Sequence, residues 1–192
     1  KTRVVDVWDK GADKGAVIDT VTEVADKASG EPICTLSASA FCRKDGGFGG
    51  PAAPARPAPR LPDRPPDQVC ELPTLPQSAL LYRLLGDDNP LHADPAFAAK
   101  AGFARPILHG RASFAVAGHA ILQTYCDYDA SRLQGMQARF VSPVYPGETI
   151  RTEMWREGAY VVYRCSVAAR KVTVLGNGFA RILPSSATKE HP

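Results

Sequence analysis

Between Gly46 and Pro76 the chain reads GGFGGPAAPARPAPRLPDRPPDQVCELPTLP, and this run holds nine of the seventeen prolines. Proline fixes φ and offers no backbone N–H, so such a run resists helix and central strand and favours extended polyproline conformations. The rest of the chain must therefore fold on either side of it. Residues 46–76 are expected to form a semi-rigid surface linker between a short segment, 1–45, and a longer one, 77–184, with 185–192 a polar tail.

The longer segment has a readable order of elements. SALLYRLLG is a short apolar run, read as a strand that delivers the acidic stretch after it. Asp94-Pro95 supplies a helix N-cap followed by proline at the first helical position, and Gly102 closes the short helix PAFAAKAG. HGRASFAVAGHAILQTYC then forms a longer helix, small and apolar on nearly every face and so expected to be buried on most sides. Four strand candidates follow: MQARFVSPV, ETIRTEMWRE, AYVVYRCSVAA and KVTVLGNGFARIL, with YPGE and REGA as turns. One long apolar helix followed by an antiparallel meander is satisfied when the sheet curls around the helix, an α+β hot-dog arrangement.

The short segment repeats the end of this pattern. GAVIDTVTEVADKASGEPICTLSASAFCR and GAYVVYRCSVAARKVTVLGNGFAR both run Gly-Ala, strand, turn, strand, Phe-x-Arg. Read as a repeat, the chain is a double hot dog whose first copy is incomplete and lacks its helix. The missing half implies a natural polypeptide extending upstream by roughly 60 residues. The opening KTRVVDVWDK, without Met or the apolar core of a signal peptide, points the same way.

Composition excludes several functions. The net charge is only +3 and the basic residues are scattered, so there is no nucleic-acid footprint, although an anionic small molecule remains possible. The five cysteines are widely spaced and include no Cys-x-x-Cys pair, which argues against a disulfide framework or a structural zinc and for a reducing, cytoplasmic setting. The apolar stretch from Ala112 to Tyr125 is too short to span a bilayer, so no membrane association is expected.

The chemistry concentrates in LLGDDNPLHADP, residues 84–95. Pro90 and Pro95 keep the backbone between them out of regular helix, so side chains can converge from an irregular loop. Asp87 and His92 offer a base and an acid, and Asn89 can orient a water through its carbonyl or its amide. Those are the parts needed to add water across an activated double bond. The same residue types are also the commonest turn formers. A metal set of Asp87, Asn89, His92 and Asp94 lacks both a recognised ligand spacing and the central glycine of a calcium loop.

YRLLGDDNPLHADPAFAAKAGFARPILHG resembles the signature of the MaoC-like (R)-specific 2-enoyl-CoA hydratases, the hydratase 2 family. DGGFGG before a proline-rich linker is similar to the two-repeat, double hot-dog members, so the resemblance covers nearly the whole chain. It implies that Asp87 and His92 are the catalytic pair, that Asn89 helps hold the water, and that the Gly110 backbone N–H faces the thioester oxygen. Gly110 suits this physically: it opens the long helix, where unpaired N–H groups favour developing negative charge, and it has no Cβ to obstruct the thioester. Leu85 and Arg111 depart from the family pattern; Arg111 reads equally as a CoA contact, a surface charge or a sign of altered substrate choice. His109 is expected to shape the helix start and His119 to be a packed or hydrogen-bonded core residue. Tyr160, Tyr163 and Trp155 are read as strand packing.

The activity implied is reversible hydration of trans-2-enoyl-CoA to (3R)-hydroxyacyl-CoA, with no cofactor and no metal. The resemblance also implies that the first repeat accommodates the acyl chain, so a helixless repeat would favour bulky or long acyl groups. The alternatives are a non-catalytic acyl-CoA-binding or structural hot-dog subunit, and an acyl-CoA thioesterase. The expected partners are the enoyl-CoA substrate and either a second copy, as a homodimer, or another hot-dog chain.

Overall fold

The computed structural model describes residues 1–54 and 59–184; the expected polar tail at 185–192 lies outside them. Two compact units divide the chain, Lys1–Pro57 and Ala58–Pro192.

The first unit is a three-stranded antiparallel sheet of β1 (Thr2–Asp9), β2 (Ala16–Ala25) and β3 (Pro32–Cys42), in that order. This is the hairpin expected from the repeat, with β1 added beside β2. The Asp9 carboxylate gathers the glycine-rich segments: it accepts the N–H groups of Gly11 at 2.8 Å and of Gly47 and Gly49 at 2.7 Å each. Those amide bonds hold its carboxyl below the ordinary range.

The second unit is a five-stranded antiparallel sheet ordered β4-β6-β7-β8-β5, built from β4 (Gln68–Pro73), β5 (Leu133–Phe140), β6 (Thr149–Glu157), β7 (Tyr160–Val167) and β8 (Val172–Ile182). Helices α1 (Ser78–Arg83), α2 (Pro95–Lys100) and α3 (Gly110–Tyr125) lie between β4 and β5 in sequence. α3 packs against β6 and against both edge strands, β4 and β5. A flat sheet of five strands about 4.8 Å apart is too wide for one helix about 10 Å across to touch both edges, so the sheet must curl around α3. This is the α+β hot-dog fold.

Two expectations are corrected. The linker 46–76 contains a strand: QVCEL precedes Pro73, and among the described residues β4 pairs only with β6, so it tolerates proline as an edge strand does. SALLYRLLG is helical over Ser78–Arg83 rather than a strand; it has no β-branched residue, and Gly86 at φ +100° ends the turn that follows. α3 is buried on most sides, as expected, and keeps one exposed stripe, Arg111, Ala115, His119 and Gln123, spaced four apart, while Ala117, Gly118, Ala120 and Ile121 are buried. The four later strands and α2 lie where the pattern puts them, and Asp94 caps α2 by accepting the N–H of Ala96 and Phe97.

The core joins Ala117 and Ile121 of α3 to Ile150, Met154, Val161, Tyr163 and Ile182 of the sheet. Small residues let the helix approach closely: a Cβ on Gly118 would touch Met136 Sδ at 3.4 Å. Tyr163 is fully buried and reaches across β8 to donate its hydroxyl to the Gln137 carbonyl of β5 at 2.9 Å. Gly178, its partner in β8, makes this possible, since a Cβ there would lie 2.4 Å from Tyr163 O and 2.6 Å from its ring. Tyr160 stacks on Phe179 and the Trp155 indole N–H donates to Arg64 O, so these aromatics are strand packing.

Candidate active site

Asn89 begins the site by capping a single 3₁₀ turn, Pro90–His92, its Oδ1 accepting the Leu91 N–H at 3.0 Å. The turn throws His92 back toward the strand-like segment before α3. There the His92 ring lies 2.8 Å from the Ile107 carbonyl through Nδ1. A carbonyl only accepts, so Nδ1 carries the proton and Nε2 is the nitrogen left for exchange. Leu108 N–H, next along, donates to Val144 O at 2.7 Å and fixes the segment to the loop before β6.

Asp87 lies on the exposed loop ahead of the turn. One of its carboxylate oxygens and one ring nitrogen each of His92 and His109 all lie within 4.8 Å of one another. A single water fits between groups at that separation, since each hydrogen bond spans about 2.8 Å. Asp88, beside it, is exposed and outside this cluster.

The same three residues include metal-ligating types, yet their geometry is that of a stack. The His92 and His109 rings lie 3.7 Å apart at 26°. An ion bound in the plane of one ring would sit well out of the plane of the other. The sequence set of Asp87, Asn89, His92 and Asp94 is not assembled either, because Asn89 and Asp94 each spend a side-chain oxygen on a local cap.

Gly110 is the first residue of α3, so its N–H belongs to the four that have no partner within the helix. Beside it opens a cleft of ≈ 360 Å³, lined mainly by apolar groups including Phe103, Leu108, Phe140, Val144 and Leu175. The loop forming one wall is anchored by Arg170, which pairs with Glu148 at 2.6 Å and donates to Pro143 O at 2.6 Å. Arg111 is exposed and makes no ion pair among the described residues.

The match to known proteins falls on this same stretch. A family description, MaoC like domain, covers residues 57–177. The chain belongs to the MaoC-like family. Its relatives include the enoyl-CoA hydratase ChsH3 of Mycobacterium tuberculosis, 44% identical over 177 residues, 92% of this chain and 60% of that protein. Peroxisomal enoyl-CoA hydratase 2 of Arabidopsis thaliana is 41% identical over 184 residues, 91% of this chain and 59% of its own length. The crystal structure of a MaoC-like dehydratase from Phytophthora capsici superposes with a TM-score of 0.84 at 36% identity, covering 96% of this chain and 64% of that one. This MaoC-like chain thus spans about 60% of the length of these two hydratase relatives.

Of the residues singled out in the sequence, the MaoC-like fold brings Asp87 and His92 together, gives Asn89 a capping role, and sets Gly110 at the helix start. His119 is not a core residue: it is exposed and hydrogen-bonded to the Tyr128 hydroxyl at 3.2 Å. Sequence reasoning missed Tyr82, whose ring lies 4.5 Å from that of His109, and the depth of His109 itself. Tyr82 stood in a run read as a strand, which hid its helical neighbour relation to the loop. Among the described residues no helix is long and apolar enough to cross a membrane.

Proposed function

We propose that this MaoC-like chain hydrates trans-2-enoyl-CoA reversibly to (3R)-hydroxyacyl-CoA. The observation that carries the reading is the approach of the Asp87 carboxylate to a His92 ring nitrogen beside the N-terminus of α3. A water held between them, and by the Asn89 amide that the cap leaves free, adds its oxygen to C3 while its proton passes to the pair. The electron pair of the C2–C3 double bond moves toward the thioester, whose oxygen becomes enolate-like and meets the Gly110 N–H. A proton then returns to C2, so the net change is one water added, with no redox step. The reading uses no cofactor and no metal, and the His92–His109 stack supports a proton-transfer site over an ion site.

The names of the hydratase relatives support the substrate class, and the resemblance of the loop to the (R)-specific enzymes supports the stereochemistry. We read residues 1–45 as an incomplete hot-dog repeat and the assembly as a homodimer or a pairing with another hot-dog chain. Five free cysteines fit a reducing compartment; the cytoplasm is the sequence's reading, and the peroxisomal name of the plant relative offers the other address for fractionation to decide.

The test is incubation with short, medium and long enoyl-CoAs, following loss of enoyl absorbance and the chirality of the product. Release of free CoA thiol in place of hydration would instead show a thioesterase, and binding without turnover a non-catalytic subunit.

A further inference from the structure

His109 is 1% exposed, the first residue before α3, and its carbonyl accepts the Ser113 N–H at 3.1 Å. Its backbone is therefore held by the helix, and its ring position follows. Nε2 lies 3.2 Å from the Asp87 carbonyl, so Nε2 carries the proton and donates. Nδ1 is buried with no partner. The ring lies against both Tyr82 and His92. A phenyl ring would fill this space without burying an unpaired nitrogen, so packing alone does not account for a histidine here.

We propose that His109 is a positioning residue for the hydration: its Nε2–H holds the Asp87 backbone carbonyl while its ring backs the His92 imidazole, setting the separation of carboxylate and imidazole. The proposal rests on the reading of Asp87 and His92 as the reacting pair. Burial pushes the His109 ring below the ordinary histidine range, and His92 acts in the same direction, while the Asp87 carbonyl and carboxylate oppose. An uncharged His109 also matters to its neighbour, because two imidazolium rings stacked at this distance would repel. His92 can then take up a proton without a like charge against its face.

Two substitutions separate the parts. His109→Phe keeps a ring and removes the donor; His109→Gln keeps a donor and removes the ring. Each should lower kcat by at least ~10-fold with KM within about 3-fold, since small misplacements of reacting groups are costly to turnover. In an Asp87→Asn background, His109→Phe should cost no more than about 2-fold further, because a residue that acts through Asp87 has little left to position. An equal, multiplicative loss in that background, or wild-type kcat in both single variants, overturns the role of His109 alone. Asp87→Asn at the wild-type rate overturns the reacting pair and the proposal with it. The unsubstituted protein gives a second measurement if the variants fail to fold. Its four histidines are few enough to assign by ¹⁵N NMR, and His109 should show the Nε2–H tautomer when uncharged and titrate below the ordinary histidine range. Titration at or above the ordinary histidine range, or the Nδ1–H tautomer, overturns it.

Discussion

Gly110→Ala should pull stability and turnover apart. A Cβ at this position would meet Phe140 Cε1 at 3.1 Å and two further ring atoms at 3.4 Å. That ring is 55% exposed, so it can shift by the few tenths of an ångström required. Gly110 has no positive φ, so alanine brings no backbone strain; in a helix interior the exchange is worth up to about 1 kcal/mol in favour of alanine, and less in the first turn. Tm should therefore hold or rise slightly. The methyl, however, enters the space beside the N–H where the thioester oxygen is placed. Complete loss of one such donor costs ~10² to 10³ in rate, or about 2.7 to 4 kcal/mol at about 1.36 kcal/mol per decade. Alanine keeps the N–H and obstructs its approach, so a loss of about 10- to 100-fold is expected, with Gly110→Val nearer the full penalty. Steady-state hydration of an enoyl-CoA, with circular dichroism to confirm folding, reads both quantities. A folded Gly110→Val protein at the wild-type rate would refute the oxyanion placement.

Asp87→Asn should reduce turnover by at least ~10² with the fold intact, as for a lost acid–base group, while Asp88→Asn stays within several-fold of wild type; equal losses, or the reverse order in steady-state kinetics, would reject Asp87. Tyr163→Phe leaves the Gln137 carbonyl short of its donor and should lower stability by about 1 to 3 kcal/mol in denaturant unfolding, and an unchanged midpoint would show that the bond contributes nothing. Asp9 has its carboxyl held below 3.8 in the folded chain, so its amide bonds stabilise the first unit above that value and the contribution fades as pH falls through the lowered one. Asp9→Asn should therefore speed exchange of the Gly47 and Gly49 amides near neutrality, with the difference from wild type closing in acid; a difference that widens in acid would reverse the sign.

Much of this was legible in the chain because the relevant signals are local. Alternation in ETIRTEMWRE and AYVVYRCSVAA, and the Asp94-Pro95 cap, are physical instructions carried within a few residues. β4 was not legible, because QVCEL sits among prolines and takes its strand character from β6, some eighty residues later. α1 was misread because a short apolar run does not reveal its period; the absence of β-branched residues in Ser78–Arg83 was the usable sign. In the site, Asp87, Asn89 and His92 are written in one stretch. The return of His109 onto the Asp87 carbonyl, across 22 residues, depends on Leu108 being tied to Val144 and on where α3 begins, and no pattern in the loop encodes that.

The hydroxyl of Tyr163, passing over Gly178, also bears on how the cleft can breathe. Phe140 and Leu175 face the cleft from β5 and β8, strands paired with each other and, through the Tyr163–Gln137 bond, cross-braced to β7. β8 is paired on both sides, with β7 and with β5, whereas β5 is an edge strand that this bond ties across β8, so β5 bends mainly beyond the brace. Thermal opening of the cleft is then concentrated at the Phe140 end of β5, three residues past Gln137, while the Leu175 wall stays stiff. A side chain at position 178 would collide with the Tyr163 backbone and ring and so displace the brace, which makes this glycine bear on the compliance of a cleft wall it does not line.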